Sequence, residues 1–451
     1  MQGRGPEPQQ AAPGQGGAPG SAVPVPVQRT RLANGLDVIL LENHVAPLVT
    51  IEIDVHNGAC VETEAYDGLS HLYEHMFFKA NERIPDQERY LKRTRELGME
   101  WNGTTSEERV NYYFTLQSRD LEAGLRFMSD AIRTPLFLQE ELERERQVVL
   151  GEYDRAESDP GFHLYVATSR ALWGGDYTRK NVIGTRSVIE TATRDKMFAI
   201  QRRFYVPNNS ALVVAGDFDS AAALELVDRV FGDWPPGGDP FAADPVPHPA
   251  PLERAATRVV ERPVHAVSML LAWHGPSVER DRRATYVADV LSFVLGQRNS
   301  RFYRRLVDSG LASSASLHYQ TLRYTGPLQV QLVAAPERAA EAHAALCEEV
   351  AALVEPATFT DEEIDNAKHQ LEIDQIYEAE RPSHLAHTLG YWWTVADLDY
   401  YTDYATRVRE ITRADLHDFA SRYLVERPRV TGILVAPEDR PRLGPLAEES
   451  A

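Results

Sequence analysis

Seven prolines between Pro235 and Pro251 divide this chain into two halves that repeat each other. The stretch WPPGGDPFAADPVPHPAPLERA, from Trp234, carries them at a density that no helix or central strand tolerates, because proline lacks the backbone N–H both need. It reads as an interdomain linker over residues 235–254. On either side, TRDKMFAIQRRFYV (193–206) and TRADLHDFASRYLV (412–425) align without gaps, and each is followed by an apolar β-rich run, SALVVAGDF and RVTGILVAP. PLVTIEIDVHNG (47–58) and HAVSMLLAWHG (265–275) match at nearly the same separation. Two matches in one order at one spacing predict a duplicated unit. The halves are then 29–234 and 255–440, with tails at 1–28 and 441–451.

Within the first half, LDVILLE, VTIEIDVHNG, RVNYYFTLQ and NSALVVAGDF alternate or run apolar as strands do, and 68–80, 120–131 and 138–157 carry helical patterns. The order is not a strict βαβ alternation. It predicts an α+β fold of two homologous halves, each a largely antiparallel sheet packed with helices.

A formal charge of −20 argues against nucleic acid or an anionic membrane as partner, since nothing basic offsets phosphate repulsion. No run of 18 apolar residues predicts a spanning helix. The opening MQGRGPEPQQAAPGQGGAPGSAVPVPVQ is too poor in bulky apolar residues to order itself and reads as a flexible tail, or the stub of a processed precursor. It lacks the apolar centre of a signal peptide. The compartment stays open: a soluble, cytoplasmic chain as it stands, periplasmic if a signal segment has been removed. Cys60 and Cys347 stand in no metal-ligand spacing.

The chemistry concentrates in GLSHLYEHMFFKA (68–80). On a helix, His71 and His75 lie one turn apart on the same face, where two imidazoles can converge on one ion. Glu74 sits beside them, placed to take a proton from water instead of binding the metal. Leu69, Leu72, Met76, Phe77 and Phe78 give the helix a buried side. A catalytic zinc takes three protein ligands and keeps one position open. ELERERQVVLGEYDRAESDP offers Glu145 and Glu152, two helical turns apart, with Val148 and Val149 between them on one predicted buried stripe. Acids on such a stripe are costly unless paired or metal-bound, whereas Glu140, Glu141 and Glu143 read as solvated surface. The alternative for the stripe is a buried ion pair with Arg146 or Arg155.

These residues resemble the signature of the pitrilysin-like (M16) metallopeptidases, which include mitochondrial processing peptidase and insulin-degrading enzyme: His-x-x-Glu-His, then a liganding Glu several tens of residues later. HLYEH and Glu152 match it. LANGLDVILLENHVAPLVTIEIDVHNGA, WNGTTSEERVNYYFTL and FYVPNNSALVVAGDFD extend the resemblance, which covers residues 29–440. It implies the LuxS/MPP-like metallohydrolase fold, Zn2+ held by His71, His75 and Glu152, Glu74 as general base and Glu145 as a supporting acid. It also implies that Asn102 and Gly103 line a sheet edge to which an extended peptide adds as a strand. From the residues alone, Asn102-Gly103 reads equally well as a turn.

The second half has no such motif. RRATYVADVLSFVLG, after LLAWHG, carries neither histidine nor glutamate at the matching positions, so that half reads as structural, closing the far wall of a substrate chamber. Active single-chain or homomeric members of the family carry an Arg and a Tyr in a later repeat, in a pattern resembling LREERGLAYS. Here RRLVDSGLASS places Leu306 and Ser313 at those positions, with Arg305, His318 and Tyr319 nearby. The resemblance is thus to the catalytic subunit of two-subunit bacterial members. It implies a zinc-dependent endopeptidase of oligopeptides or unfolded polypeptides, paired with a homologous subunit that lacks the zinc motif. The contrasting expectation is a non-catalytic scaffold of the same fold. Intact His71, Glu74, His75 and Glu152 speak against it, because a scaffold has no physical need for unpaired acids beside two histidines.

Overall fold

The computed structural model describes residues 26–448. The first half builds a six-stranded sheet from β1 (Gln28–Arg31), β2 (Asp37–Glu42), β3 (Leu48–Val55), β4 (Glu100–Thr105), β5 (Val110–Gln117) and β6 (Ser210–Gly216), in the order β1-β2-β6-β3-β5-β4. The second builds a five-stranded sheet from β7 (Ala256–Glu261), β8 (Val267–His274), β9 (Ser314–Tyr319), β10 (Pro327–Ala334) and β11 (Val430–Val435), in the order β7-β11-β8-β10-β9. With β1 set aside, the two orders correspond term for term. Each sheet has one parallel pairing, β2 with β6 and β7 with β11, and is otherwise antiparallel. The architecture is α+β, and the repeat in the sequence is a repeat of topology.

The first half's helices include α1 (Leu69–Phe77), α2 (Gln87–Glu96), α3 (Leu121–Arg133), α4 (Gln139–Glu157) and α5 (Pro160–Trp173), of which α1 and α4 carry the candidate site and α5 reaches the second sheet. α3 buries Leu121, Leu125, Met128 and Ile132 at helical spacing against β3 and β5.

The outer faces of the sheets are covered by exchange. α5 of the first half lies across β7, β8 and β11 of the second sheet, with Leu164 against Leu270 and Leu434. In return, the Pro382–Val395 helix of the second half lies across β3 and β6, packing Leu385, Ala386, Leu389 and Trp393 on Ile39, Leu41, Ala211, Val213 and Ala215. Both helices are 14 residues long and begin with proline, whose missing N–H is harmless in a first turn. Both contacts depend on glycine. A Cβ on Gly432 of β11 would stand 1.9 Å from Thr168 Oγ1, and one on Gly390 would stand 2.1 Å from Asp54 Oδ2. With both faces covered, every residue of β6 and β11 is buried, which explains their unbroken apolar runs.

A buried charge cluster marks the seam. Glu52 and Asp54 of β3 are held by Arg109, whose Nε lies 2.6 Å from Asp54 Oδ1, and Glu52 also meets His387 of the second-half helix. Such charges persist in a dry contact because each has a partner.

The ends differ from the sequence expectation. Gln28, assigned to the leading tail, opens β1 opposite Leu40, while residues 1–25 of that tail lie outside the described residues. The segment expected as a trailing tail from 441 is a 3₁₀ helix, Arg440–Ala447, with Leu443 and Ala447 buried in the second core. Residues 449–451 lie outside the described residues. The 235–254 stretch has no helix or strand, yet it is pinned: Val246 is buried in the first core, and Asn208 exchanges two hydrogen bonds with Gly237. Among the described residues, no helix is long and apolar enough to cross a membrane.

Candidate metal centre

α1 begins after Gly68, whose φ of 89° suits glycine and whose added Cβ would meet Gly184 Cα at 2.6 Å. The buried Glu62 side chain accepts from the backbone N–H groups of Gly68 at 2.7 Å and Ser70 at 2.6 Å, satisfying donors that a helix start leaves orphaned. Leu69, Leu72, Tyr73, Met76 and Phe77 are buried, which turns His71, Glu74 and His75 to the half-open side.

α4 packs beside α1 and supplies the acids. Its inward stripe runs Leu142, Glu145, Val149, Glu152, a strict three- and four-residue spacing. Val148, expected on that stripe, is instead 47% exposed, because it sits one residue off the period. Glu141, expected in solvent, is buried and accepts the Ala80 N–H at 3.3 Å. Arg146 is no partner for the acids: it donates to the carbonyls of Glu190 and Ala192. Glu145 is held by Lys79, with Nζ 2.8 Å from Oε1, and its Oε2 lies 3.4 Å from His75 Nδ1.

Glu152 Oε2 stands 3.5 Å from His71 Nε2 and 3.6 Å from His75 Nε2. The three ligand atoms lie within 4.8 Å of one another, the one such group among the described residues. A tetrahedral zinc with ligands at about 2.0–2.1 Å separates neighbouring ligand atoms by about 3.4 Å, so the spacing fits that ion. The electrostatics fit as well. Burial, with a smaller push from His75, takes the His71 imidazole down to about 4, leaving a neutral ring with a free lone pair. At His75 burial opposes positive charge, but Glu145, Glu152 and Glu74 outweigh it and raise the ring, so this point of the structure stabilises a cation. The Glu152 side chain is 39% exposed, which leaves the cluster open on one side.

Glu74 lies next to the cluster. Burial raises its carboxyl, offset in part by Thr105, whose Oγ1 donates to Glu74 Oε2 at 2.6 Å. Thr105 belongs to β4, the last strand of the first sheet, and so do Asn102 and Gly103. These two form no turn: Asn102 pairs with Tyr113 and Gly103 with Tyr112 across β5. The strand wins because Trp101, Gly103 and Thr105 all pack toward α1, with the Trp101 ring 4.5 Å from that of Phe78. Asn102 is exposed on the far side.

In the second half, Leu306 is fully buried and Ser313 donates to the Val333 carbonyl at 3.1 Å. Arg305 is paired with Glu348, His318 with Ser316, and the Tyr319 hydroxyl donates to the Pro276 carbonyl. Three residues that shape the candidate metal site escaped the sequence: Glu62 at the head of α1, Lys79 two residues beyond its last turn, and Thr105. Only Thr105 carried a signal, its place next to Asn102-Gly103 in one strand.

The model described as insulinase (peptidase family M16) matches residues 37–186, which hold the cluster, and the one described as peptidase M16 inactive domain matches 191–371. A protein named as an uncharacterized zinc protease of Streptomyces coelicolor is 25% identical over 434 residues, covering 94% of this chain and 91% of its own. The beta subunit of the mitochondrial-processing peptidase of Blastocladiella emersonii is 26% identical over 220 residues, 49% of this chain and 47% of its own. The crystal structure of a protease from Helicobacter pylori superposes with a TM-score of 0.80 at 23% identity, covering 91% of this chain and all of that one. Matched in both halves by models of one family, in the same order and over the same fold, the chain belongs to peptidase family M16.

Proposed function

We propose that the chain is a zinc-dependent endopeptidase that cleaves extended peptides and works with a homologous subunit lacking the zinc motif. The observation that carries this is the convergence of His71, His75 and Glu152 beside Glu74, at the foot of a sheet edge. Held by these three, zinc supplies Lewis acidity toward a scissile carbonyl and acidifies water. Glu74 takes a proton from the attacking water on its carboxylate and hands it to the leaving amine. Glu145, fixed by Lys79, orients His75. β4 has no strand on its outer side among the described residues, and a peptide can add there through backbone hydrogen bonds at Asn102 and Gly103.

Partnership with a second subunit rests on Leu306 and Ser313, which offer neither cation nor phenol to a substrate. The naming of a related protein as a beta subunit supports it. The match described as an inactive domain falls on 191–371, outside the cluster.

The test is cleavage of a fluorogenic unstructured peptide by the zinc-loaded chain, alone and with a homologous subunit, beside Glu74→Gln. Zinc-dependent cleavage that the subunit stimulates and Glu74→Gln lowers about a hundred- to ten-thousandfold, to a measurable residual rate, is expected. A chain that binds no zinc loses the enzyme assignment, and full activity alone removes the partner.

A further inference from the structure

Resting on the peptidase function above, we infer that Thr105 is a positioning residue for the base, tying Glu74 to the strand that receives the peptide. Its Oγ1 donates to Glu74 Oε2 at 2.6 Å, a short bond of the charge-assisted kind. Among the described residues this is the one hydrogen bond made to the Glu74 carboxylate. Two places back on the same face of β4, Gly103 adds a second restraint: a Cβ there would sit 3.0 Å from Glu74 Cγ and 3.2 Å from Phe78 Cε2. The Glu74 side chain is thus braced against bare backbone at its Cγ and tethered by a hydroxyl at its tip, and one strand supplies both.

That strand is also the sheet edge. A peptide paired along it and the base that serves its carbonyl share one rigid frame, so the distance between them is fixed by β4 and not by the free rotation of a glutamate. Threonine suits this role because its branched Cβ restricts χ1 and holds the hydroxyl on one bearing. A misplacement of about 1 Å in such a frame costs on the order of a hundredfold in rate.

The experiment compares wild type, Thr105→Val, Thr105→Ser and Glu74→Gln, with Thr105→Val also placed in the Glu74→Gln background. Zinc content and thermal melting are read beside kcat and KM on the fluorogenic peptide. Thr105→Val keeps the shape of the side chain and removes the donor. It is expected to bind zinc and melt as wild type does, to leave KM within about twofold, and to lower kcat about ten- to a hundredfold. Thr105→Ser is expected to restore most of kcat, and Thr105→Val is expected to add no loss to Glu74→Gln, because the two act through one group. Thr105→Ala reads the same contrast where the valine crowds Glu74 and lowers the melting temperature. An unchanged kcat in Thr105→Val, a loss confined to KM, or a full additional loss in the Glu74→Gln background overturns the inference and leaves the peptidase standing. A wild type that does not cleave, or cleaves no better than Glu74→Gln, overturns both.

Discussion

Lys79 reaches back from beyond the end of α1 to place its ammonium 2.8 Å from Glu145 Oε1, in a pocket where the two side chains are 10% and 12% exposed. The other oxygen of Glu145 faces His75 Nδ1. The lysine therefore sets the bearing of an acid that sets the bearing of a candidate zinc ligand. Lys79→Met leaves that acid buried without its cation. Its zinc affinity is expected to fall about ten- to a hundredfold, as when an outer partner of a metal ligand is lost, read by competition with a chromogenic chelator. Lys79→Arg, which keeps the charge, is expected to lose less.

Gly103 leaves no room beside Glu74. In Gly103→Val the added Cβ alone stands 3.0 Å from Glu74 Cγ, and its methyls extend the conflict to Phe78. Zinc content is expected to hold, since none of the three candidate ligands is touched, while kcat/KM drops about tenfold or more as β4 is pushed off α1. An unchanged kcat/KM would show that the strand moves aside without effect.

At the seam between the halves, Gly390→Ala drives a methyl against the Asp54 carboxylate, already held by Arg109. Overpacking of this kind costs about 1–3 kcal/mol, visible as a lower denaturant midpoint. The unfolding transition is also expected to broaden or split, because the strain falls on the contact that couples the two sheets.

Asp289, on the Val278–Gly296 helix, accepts the Tyr404 hydroxyl at 2.8 Å, yet burial pushes its carboxyl up to about 7. The folded state therefore keeps a proton that the unfolded chain releases near pH 4. This group's stabilising share is complete at low pH and is lost as pH rises to 7. Asp289→Asn is expected to flatten that fall. The check is a melting-temperature series from pH 4 to pH 8, in which parallel curves for both proteins would rule the group out.

How much of this was legible in the sequence depended on whether one strand or helix carried the information by itself. The duplication was legible, because β3 and β8, and the helix-strand pairs ending in β6 and β11, keep their apolar patterns in register. His71, Glu74 and His75 were legible because three residues on one helix are neighbours by geometry. Val148 and Glu141 were misplaced because a helix of 19 residues with charges on all sides leaves its inward face undecided by about one residue. Glu62, Lys79 and the exchange of α5 for its counterpart were not legible, since each is a contact between segments that approach only after the chain has folded. Asn102-Gly103 turned out to be strand because Trp101 and Thr105 on either side find partners on α1, which local turn preference does not register.

The crossed helices also say what kind of object this chain is. Two units that each lend a helix to the other are doing within one polypeptide what separate copies do when they swap domains. In a swapped dimer that exchange is set by protein concentration. Here the pinned, proline-rich segment joins the partners covalently, at an effective concentration in the millimolar range for a short tether. A fragment ending at the linker would keep every candidate zinc ligand and lose the lid over the outer face of its own sheet, leaving β3 and β6 bare to water and to other chains.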